Sequence, residues 1–220
     1  MRNEQQFESE LIQYLSSGVI SHRNHHATGG HAVAEQAADY IYTTKRWRHH
    51  PEIKTTDDLW ANFKAILEQH NQNTLDHPLS VVEFNQVKKI ISELHTPYLA
   101  GQFLYGINGE SQIEIDLDDG RHMFHTMFDQ KQVGAGDTVY QVVNQIRRPA
   151  KIIGKQNRIF DTTLLINGLP VIQIEEKRDT RDVNEALNQM HQYIDENQYR
   201  DIFSTLQILV AITPNNVKYM

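Results

Sequence analysis

Residues 158–177 read RIFDTTLLINGLPVIQIEEK, and how two strands pair inside this stretch decides both the fold and whether the chain carries an active site. RIFDTTLLI and PVIQIEEK are runs of β-branched and aromatic residues with the turn signal Asn167-Gly168 between them, so an antiparallel hairpin is predicted. Glu175 and Lys177 stand two apart on the second strand and project from one face, with Gln173 beside them. Asp161 lies on the first strand, and its side depends on the turn. A two-residue Asn167-Gly168 turn pairs Ile166 with Leu169 and sets Asp161 opposite Ile174, on the wrong face. A three-residue connection with Gly168 left-handed pairs Leu165 with Leu169 and sets Asp161 opposite Gln173, diagonal to Glu175. Bringing the three charges together therefore requires a bulge or an odd loop.

Outward from this hairpin the pattern continues. TVYQVVNQI at residues 138–146 reads as a preceding strand. Downstream, Asp182 with Glu185 caps a helix whose Val183, Ala186, Leu187, Met190 and Ile194 share a face, and residues 206–212 read as a buried strand. Strand, strand, strand, helix, strand make up a core over residues 137–220, the part expected to be catalytic if the three charges meet. Before it, residues 4–15 carry Phe7, Leu11, Ile12 and Leu15 at helical spacing, and residues 57–70 and 80–94 read as helices, the latter opened by a Ser80/Glu83 capping box. Residues 112–117 and 122–128 form a hairpin broken at Asp119-Gly120, while residues 16–56 receive no assignment. The expectation is one domain over 1–220, with a helical N-terminal part containing a hairpin (1–136) leading into an α/β core whose mixed sheet is flanked by helices.

Composition narrows the chemistry. With 220 residues, 39% of them hydrophobic and 22% charged, the chain has the make-up of a soluble globular protein with a sizeable core. The absence of Cys excludes disulfide scaffolds, Cys-ligated zinc, iron–sulfur clusters and thiol nucleophiles. No signal-like N-terminus is present, and the longest apolar stretch, near residues 209–212, falls far below the ~20 residues of a membrane span, so a soluble, cytoplasmic protein with no membrane partner is expected. A net charge of −7 argues against nonspecific coating of nucleic acid but leaves room for a local basic site.

Two carboxylates held close together repel unless a cation sits between them, and an all-oxygen site with open positions suits Mg²⁺ better than zinc. Such an ion acidifies a bound water and neutralises charge on a phosphate, while the Lys177 ammonium can orient the water or stabilise the transition state; that is a toolkit for phosphodiester hydrolysis. From Asp161, Glu175 and Lys177 alone, a solvated ion-paired strand face is the commoner outcome. Gln189 and Tyr193, four apart on the helix, either reach a DNA strand or the site's supporting groups, or form a polar flank with one aromatic anchoring the helix. Arg147, Arg148, Lys151, Lys155 and Arg158 lead into the Asp161 strand without an acid among them, as a phosphate-tracking loop or a mobile basic surface loop. His22, His25, His26 and His31 read as a polar loop rather than a zinc site, and no G-x-S-x-G elbow supports a serine hydrolase.

NRIFDTTLLINGLPVIQIEEKR followed by NEALNQMHQYI resembles the nuclease domain of the restriction (R) subunit of type I restriction–modification enzymes. The likeness is carried by Asp161, Glu175-x-Lys177 and Gln189-x-x-x-Tyr193 within the frame INGLP and a helix that begins NEA, and LWANFKAILEQHN and EFNQVKKIIS look like the early helices of that family. The resemblance implies a PD-(D/E)xK core, with Mg²⁺ (or Mn²⁺ in its place) at Asp161 and Glu175 and the backbone carbonyl of Glu176 as a further ligand. It implies Lys177 as catalytic lysine and Gln189 and Tyr193 as an accessory motif needed for cleavage. It also implies an acidic residue of the first helix near the site, Glu8 or Glu10, with Glu10 the expected additional ligand. Double-stranded DNA is the implied substrate, cut after ATP-driven translocation, with methyltransferase and specificity subunits as partners. No GxxxxGK[ST] loop occurs, so ATP is expected to serve a motor beyond this fragment and not to bind here. Two residues depart from the pattern: Glu176 replaces a usually apolar residue inside ExK and must find solvent or a partner on the opposite face, and Phe160 stands where the superfamily has proline. The alternative functions are a recombination or repair nuclease with the same core, and a DNA- or subunit-docking module that does not cut.

Overall fold

A computed structural model describes residues 3–17, 47–133 and 136–220. Among these, the chain runs α1 (Glu4–Ser17), β1 (Trp47–His49), α2 (Thr56–His70), α3 (Val81–Ser92), α4 (Pro97–Tyr105), β2 (Glu110–Asp116), β3 (His122–Asp129), β4 (Tyr140–Arg148), β5 (Arg158–Ile166), β6 (Leu169–Glu176), α5 (Val183–Asp195), β7 (Ile208–Ile212) and β8 (Val217–Tyr219), with short 3-10 turns at Gln130–Gln132 and Asp201–Thr205. The helices start where side chains satisfy their free N–H groups. Thr55 with Asp58, and Ser80 with Glu83, form reciprocal capping boxes, whereas Asp182 accepts from the Asn184 N–H alone.

Six strands form one mixed sheet in the order β1-β4-β5-β6-β7-β8. β1 lies parallel to β4 and β6 parallel to β7, and the other neighbours are antiparallel. Among the described residues β2 and β3 form a separate two-stranded antiparallel sheet. Alternating side chains give the sheet two apolar faces. Val142, Leu164 and Ile174 meet Ile12, Leu11 and Leu15 of α1 on one side. On the other, Val143, Leu165 and Leu169 pack with Leu59 and Phe63 of α2 and Val87 and Ile91 of α3. Ala211, between Val210 and Ile212 of the α1 side, turns away from it and meets Val183 and Ala186 of α5.

Three elements were not foreseen in the sequence: β1, α4, and β8, which pairs antiparallel with β7 at the sheet edge. β1 is three residues long, too short for a periodicity, and takes its register from β4. α4 is apolar nearly all round, which hides its short inward face: Ala100 is buried and Phe103 and Leu104 pack against the core, while Tyr98, Leu99 and Tyr105 face solvent. The apolar stripe of α5 also needs correction. It runs through Val183, Ala186, Met190 and Tyr193, and Ile194 is 47% exposed.

The β5–β6 connection is the two-residue turn: Ile166 pairs with Leu169, and Asn167 (φ 50) and Gly168 (φ 80) are both left-handed. Gly168 is required there twice over, since a Cβ would also stand 2.8 Å from the Phe63 Cα. The three-residue connection is therefore not the device that rescues the register. A bulge inside β6 does this instead: Leu165 pairs with Pro170 but Leu164 with Ile172, leaving Val171 as the extra residue. Proline, which has no N–H to give a ladder, belongs at such a place. The carbonyls there are taken from outside the hairpin, Pro170 O by the Thr205 hydroxyl (2.7 Å) and Val171 O by the Gln207 N–H (2.9 Å). Past the bulge Thr163 faces Gln173 and Thr162 faces Ile174, and one further step brings Asp161 level with Glu175 rather than Gln173.

Candidate active site

The β5–β6 ladder ends at Thr162 and Ile174. Beyond it the Asp161 carboxylate takes over, accepting from the Glu176 N–H at 2.9 Å, so a donor the ladder no longer uses is satisfied by a side chain. Glu175, fully buried, lies close enough to Asp161 for the two carboxyls to perturb each other. The Lys177 ammonium donates to Glu175 Oε1 (3.0 Å), to the backbone carbonyl of Glu176 (2.9 Å) and to Glu4 Oε1 on α1 (3.3 Å). Asp161, Glu175 and Lys177 thus converge at the end of the strand pair, and Glu175 Oε2 is buried without a hydrogen-bond partner.

Burial dominates the electrostatics. It pushes Glu175 up to about 9, with the charge of Asp161 adding to it, and it raises Asp161 against the opposing pull of the Glu176 N–H and Lys177. Burial also opposes the charge on Lys177, but the carboxylates of Glu175 and Asp161 outweigh it and hold the ammonium above its ordinary range. Glu176 points to the opposite, α1 side. Its partner is the Thr162 hydroxyl, which donates to Oε1 at 2.6 Å; Oε2 is unpaired, and burial pushes the group up to about 8.

Helix α1 supplies the acidic neighbour, and it is Glu8 rather than Glu10. Glu8 is buried and accepts from Asn144 Nδ2 (2.8 Å) and from Gln145 Nε2 at both oxygens (3.0 Å each). Its negative charge is felt at Asp161 and Glu176. Glu10, the expected additional ligand, stands two residues on, across the helix from Glu8, and is exposed. Among the described residues no group of three or more His, Asp or Glu side chains gathers as a metal cage.

A family model described as Type I restriction enzyme R protein N terminus (HSDR_N) matches residues 32–220. The chain belongs to this family. Over 173 residues, 76% of its length, it is 27% identical to the Type I restriction enzyme SsaAORF53P endonuclease subunit of Staphylococcus saprophyticus, of which it covers 17%. The SauCOLORF180P endonuclease subunit of Staphylococcus aureus is 27% identical over 168 residues, with the same coverage of both chains. The EcoprrI endonuclease subunit of Escherichia coli is 33% identical over 105 residues, 47% of this chain and 32% of that one. The chain thus spans about a sixth to a third of the curated relatives it matches.

In this R protein N terminus the remaining candidates separate into two groups. Gln189 donates to the Tyr193 hydroxyl, and Tyr193 is buried among Phe160 (centroids 5.1 Å) and Tyr199 (6.0 Å), anchoring α5 to β5. Burial, then the nearby charge of Glu175, raises the phenol, which places Tyr193 close behind the carboxylates and not at a surface. The basic run is for the most part internally paired. Arg148 is fully buried and bonded to Thr56 Oγ1 (2.8 Å) and the carbonyls of Gln198 (2.6 Å) and Arg200 (3.2 Å), so it does not line a phosphate-tracking loop. Arg158 makes a two-pronged pair with Glu196 (2.7 and 2.6 Å), and Lys151 meets Asp201 at 2.5 Å. Arg147 and Lys155 stand exposed. His22, His25, His26 and His31 lie outside the described residues. No helix among the described residues is long and apolar enough to cross a membrane.

Proposed function

We propose that this chain is an endonuclease domain of the PD-(D/E)xK class, hydrolysing phosphodiester bonds of double-stranded DNA with a divalent cation as part of a type I restriction enzyme. The convergence of Asp161, Glu175 and Lys177 supports this most, together with the buried oxygen of Glu175 that has no hydrogen-bond partner. Such an oxygen, beside a second carboxylate that must be desolvated with it, is costly unless a proton or a cation takes it up, and a divalent cation serves both carboxylates at once. The donors fit Mg²⁺, which binds through one or two carboxylates and keeps several waters, so a third acidic side chain is not required. Asp161, Glu175 and the Glu176 carbonyl would hold the ion, with Mn²⁺ able to replace it. When bound, it supplies an acidified water and neutralises charge building on the scissile phosphate.

The chain's own groups do the rest. Lys177, held by Glu175 and the Glu176 carbonyl and kept charged by its acidic neighbours, is placed to orient the attacking water or to balance negative charge in the transition state. Gln189 and Tyr193 act by fixing α5 behind the carboxylates. Family membership favours restriction over recombination or repair. In this reading target recognition lies with methyltransferase and specificity subunits, ATP serves a translocating motor outside these residues, and the complex works in the cytoplasm.

Calorimetry with Mg²⁺ or Mn²⁺ on the chain and on Asp161→Ala tests the reading. Binding is expected in the first and lost in the second; equal binding in both removes Asp161 as a ligand and the catalytic account with it. Lys177→Ala is expected to retain the metal and lose DNA cleavage in the assembled enzyme, and retained cutting would take the lysine out of the mechanism.

A further inference from the structure

A non-glycine residue with left-handed backbone in the middle of a strand is retained only where its surroundings over-determine it. Gln145 on β4 is such a residue, at φ 56. Its neighbours pair normally with β5, Asn144 with Thr162 and Ile146 with Phe160, but between them the opposed residues Gln145 and Asp161 do not pair. The break changes the parity of both strands. Val143 and Ile146, three apart, share one core cluster with Leu165 and Phe160, five apart. In an unbroken strand odd separations point to opposite faces, so the change of side falls at the Gln145/Asp161 step.

The surroundings that hold Gln145 come from distant parts of the chain. Its side-chain amide donates to both oxygens of Glu8 on α1, and the adjacent Asn144 amide donates to Glu8 Oε1. Asn144 is itself fixed: its side-chain oxygen accepts from Lys54 Nζ (3.0 Å) and meets His49 Nε2 (3.1 Å), and its backbone carbonyl takes a second Lys54 hydrogen bond (2.7 Å). Opposite this anchored kink, Asp161 is released from pairing with β4, and its carboxylate reaches the Glu176 N–H on the other side.

We propose that Gln145 is a positioning residue for Asp161: its left-handed backbone, clamped by Glu8, opens the β4–β5 ladder and sets the direction of the candidate ligand. This rests on the nuclease reading above. The test is Mn²⁺ affinity of the 220-residue chain by calorimetry, read beside its thermal midpoint. Gln145→Val, whose branched side chain favours extended backbone, is expected to lose about tenfold or more in affinity, the scale seen when a ligand's supporting partner is removed. Gln145→Gly gives up the Glu8 clamp but keeps the left-handed backbone accessible, and is expected to bind close to the unsubstituted chain even with a lower midpoint. If the valine variant does not fold, Gln145→Ala against Gln145→Gly carries the same comparison. Affinity that follows the thermal midpoint rather than the backbone preference, or a valine variant that binds normally, overturns the proposal. Loss of binding in Asp161→Ala with normal binding in Gln145→Val sinks only the positioning role, whereas normal binding in Asp161→Ala sinks the nuclease reading itself.

Discussion

Arg148→Ala is expected to cost the domain about 3–5 kcal/mol, enough to threaten folding at ordinary temperature. The guanidinium is fully buried and stacked on Phe203 (4.7 Å) and Phe160 (5.9 Å). Its donors satisfy Thr56 and the carbonyls of Gln198 and Arg200, and Asp201 lies 3.6 Å away. Truncation would empty the space beside two aromatic rings and leave these acceptors unpaired, so the packing and hydrogen-bond losses add. Burial lowers the Arg148 pKa to about 10, which still leaves the group charged near neutrality. Arg147→Ala is the control. That side chain is exposed, and its loss should stay within about 0.5 kcal/mol. Urea unfolding of both variants measures the difference. A stable Arg148→Ala chain with weakened, less salt-dependent DNA binding would show instead that the arginine faces phosphate.

Arg147 and Arg148 illustrate what was legible and what was not. As a basic run they look alike, but strand alternation from the buried Ile146 puts Arg147 outward and Arg148 inward, a signal in the sequence that counting charges ignores. Glu8 and Glu10 pose the same problem on a helix. The stripe Phe7, Leu11, Ile12 that identifies α1 also carries Glu8 into the interface and leaves Glu10 on the far side. The start of α3 was readable because its Ser80/Glu83 box is local chemistry, while the Thr55/Asp58 box of α2 obeys the same chemistry and was there to be read. Asp161, Glu175 and Lys177 were readable as a set only if a bulge existed, and the residue that marks its place is Pro170, inside the strand and not in the turn. Gln145 offered no such mark. Glutamine has no preference for left-handed backbone, and the partner that holds it there, Glu8, is 137 residues away, so its conformation is a product of tertiary contact.

Glu175→Gln is expected to make the metal-free domain more stable at about pH 8, by roughly 2–4 kcal/mol. The native site raises this carboxyl from an ordinary 4.5 to about 9 through burial and the neighbouring Asp161 charge, so between those values the folded chain keeps a proton that the unfolded chain releases. A state that binds the proton more tightly is favoured where protons are plentiful. The stability Glu175 contributes is therefore fully present below its unfolded value and is lost as pH rises toward about 9. Glutamine cannot ionise and still offers an oxygen to Lys177 and an N–H to Asp161, so the variant should lose one proton's worth of this slope. Glu176, raised to about 8 on the opposite face, leaves a residual slope in both proteins. Urea unfolding in chelator from about pH 4 to about pH 8 should show two curves that meet at the acid end and part at the alkaline end. Adding Mg²⁺ or Mn²⁺ should then reverse the order, because only the unsubstituted chain keeps the carboxylate that gains from the ion, and a ligand that binds the native state alone stabilises it. Parallel curves in chelator would mean that Glu175 is solvated and ionised in the folded protein. The unpaired oxygen beside Asp161 would then no longer call for a cation.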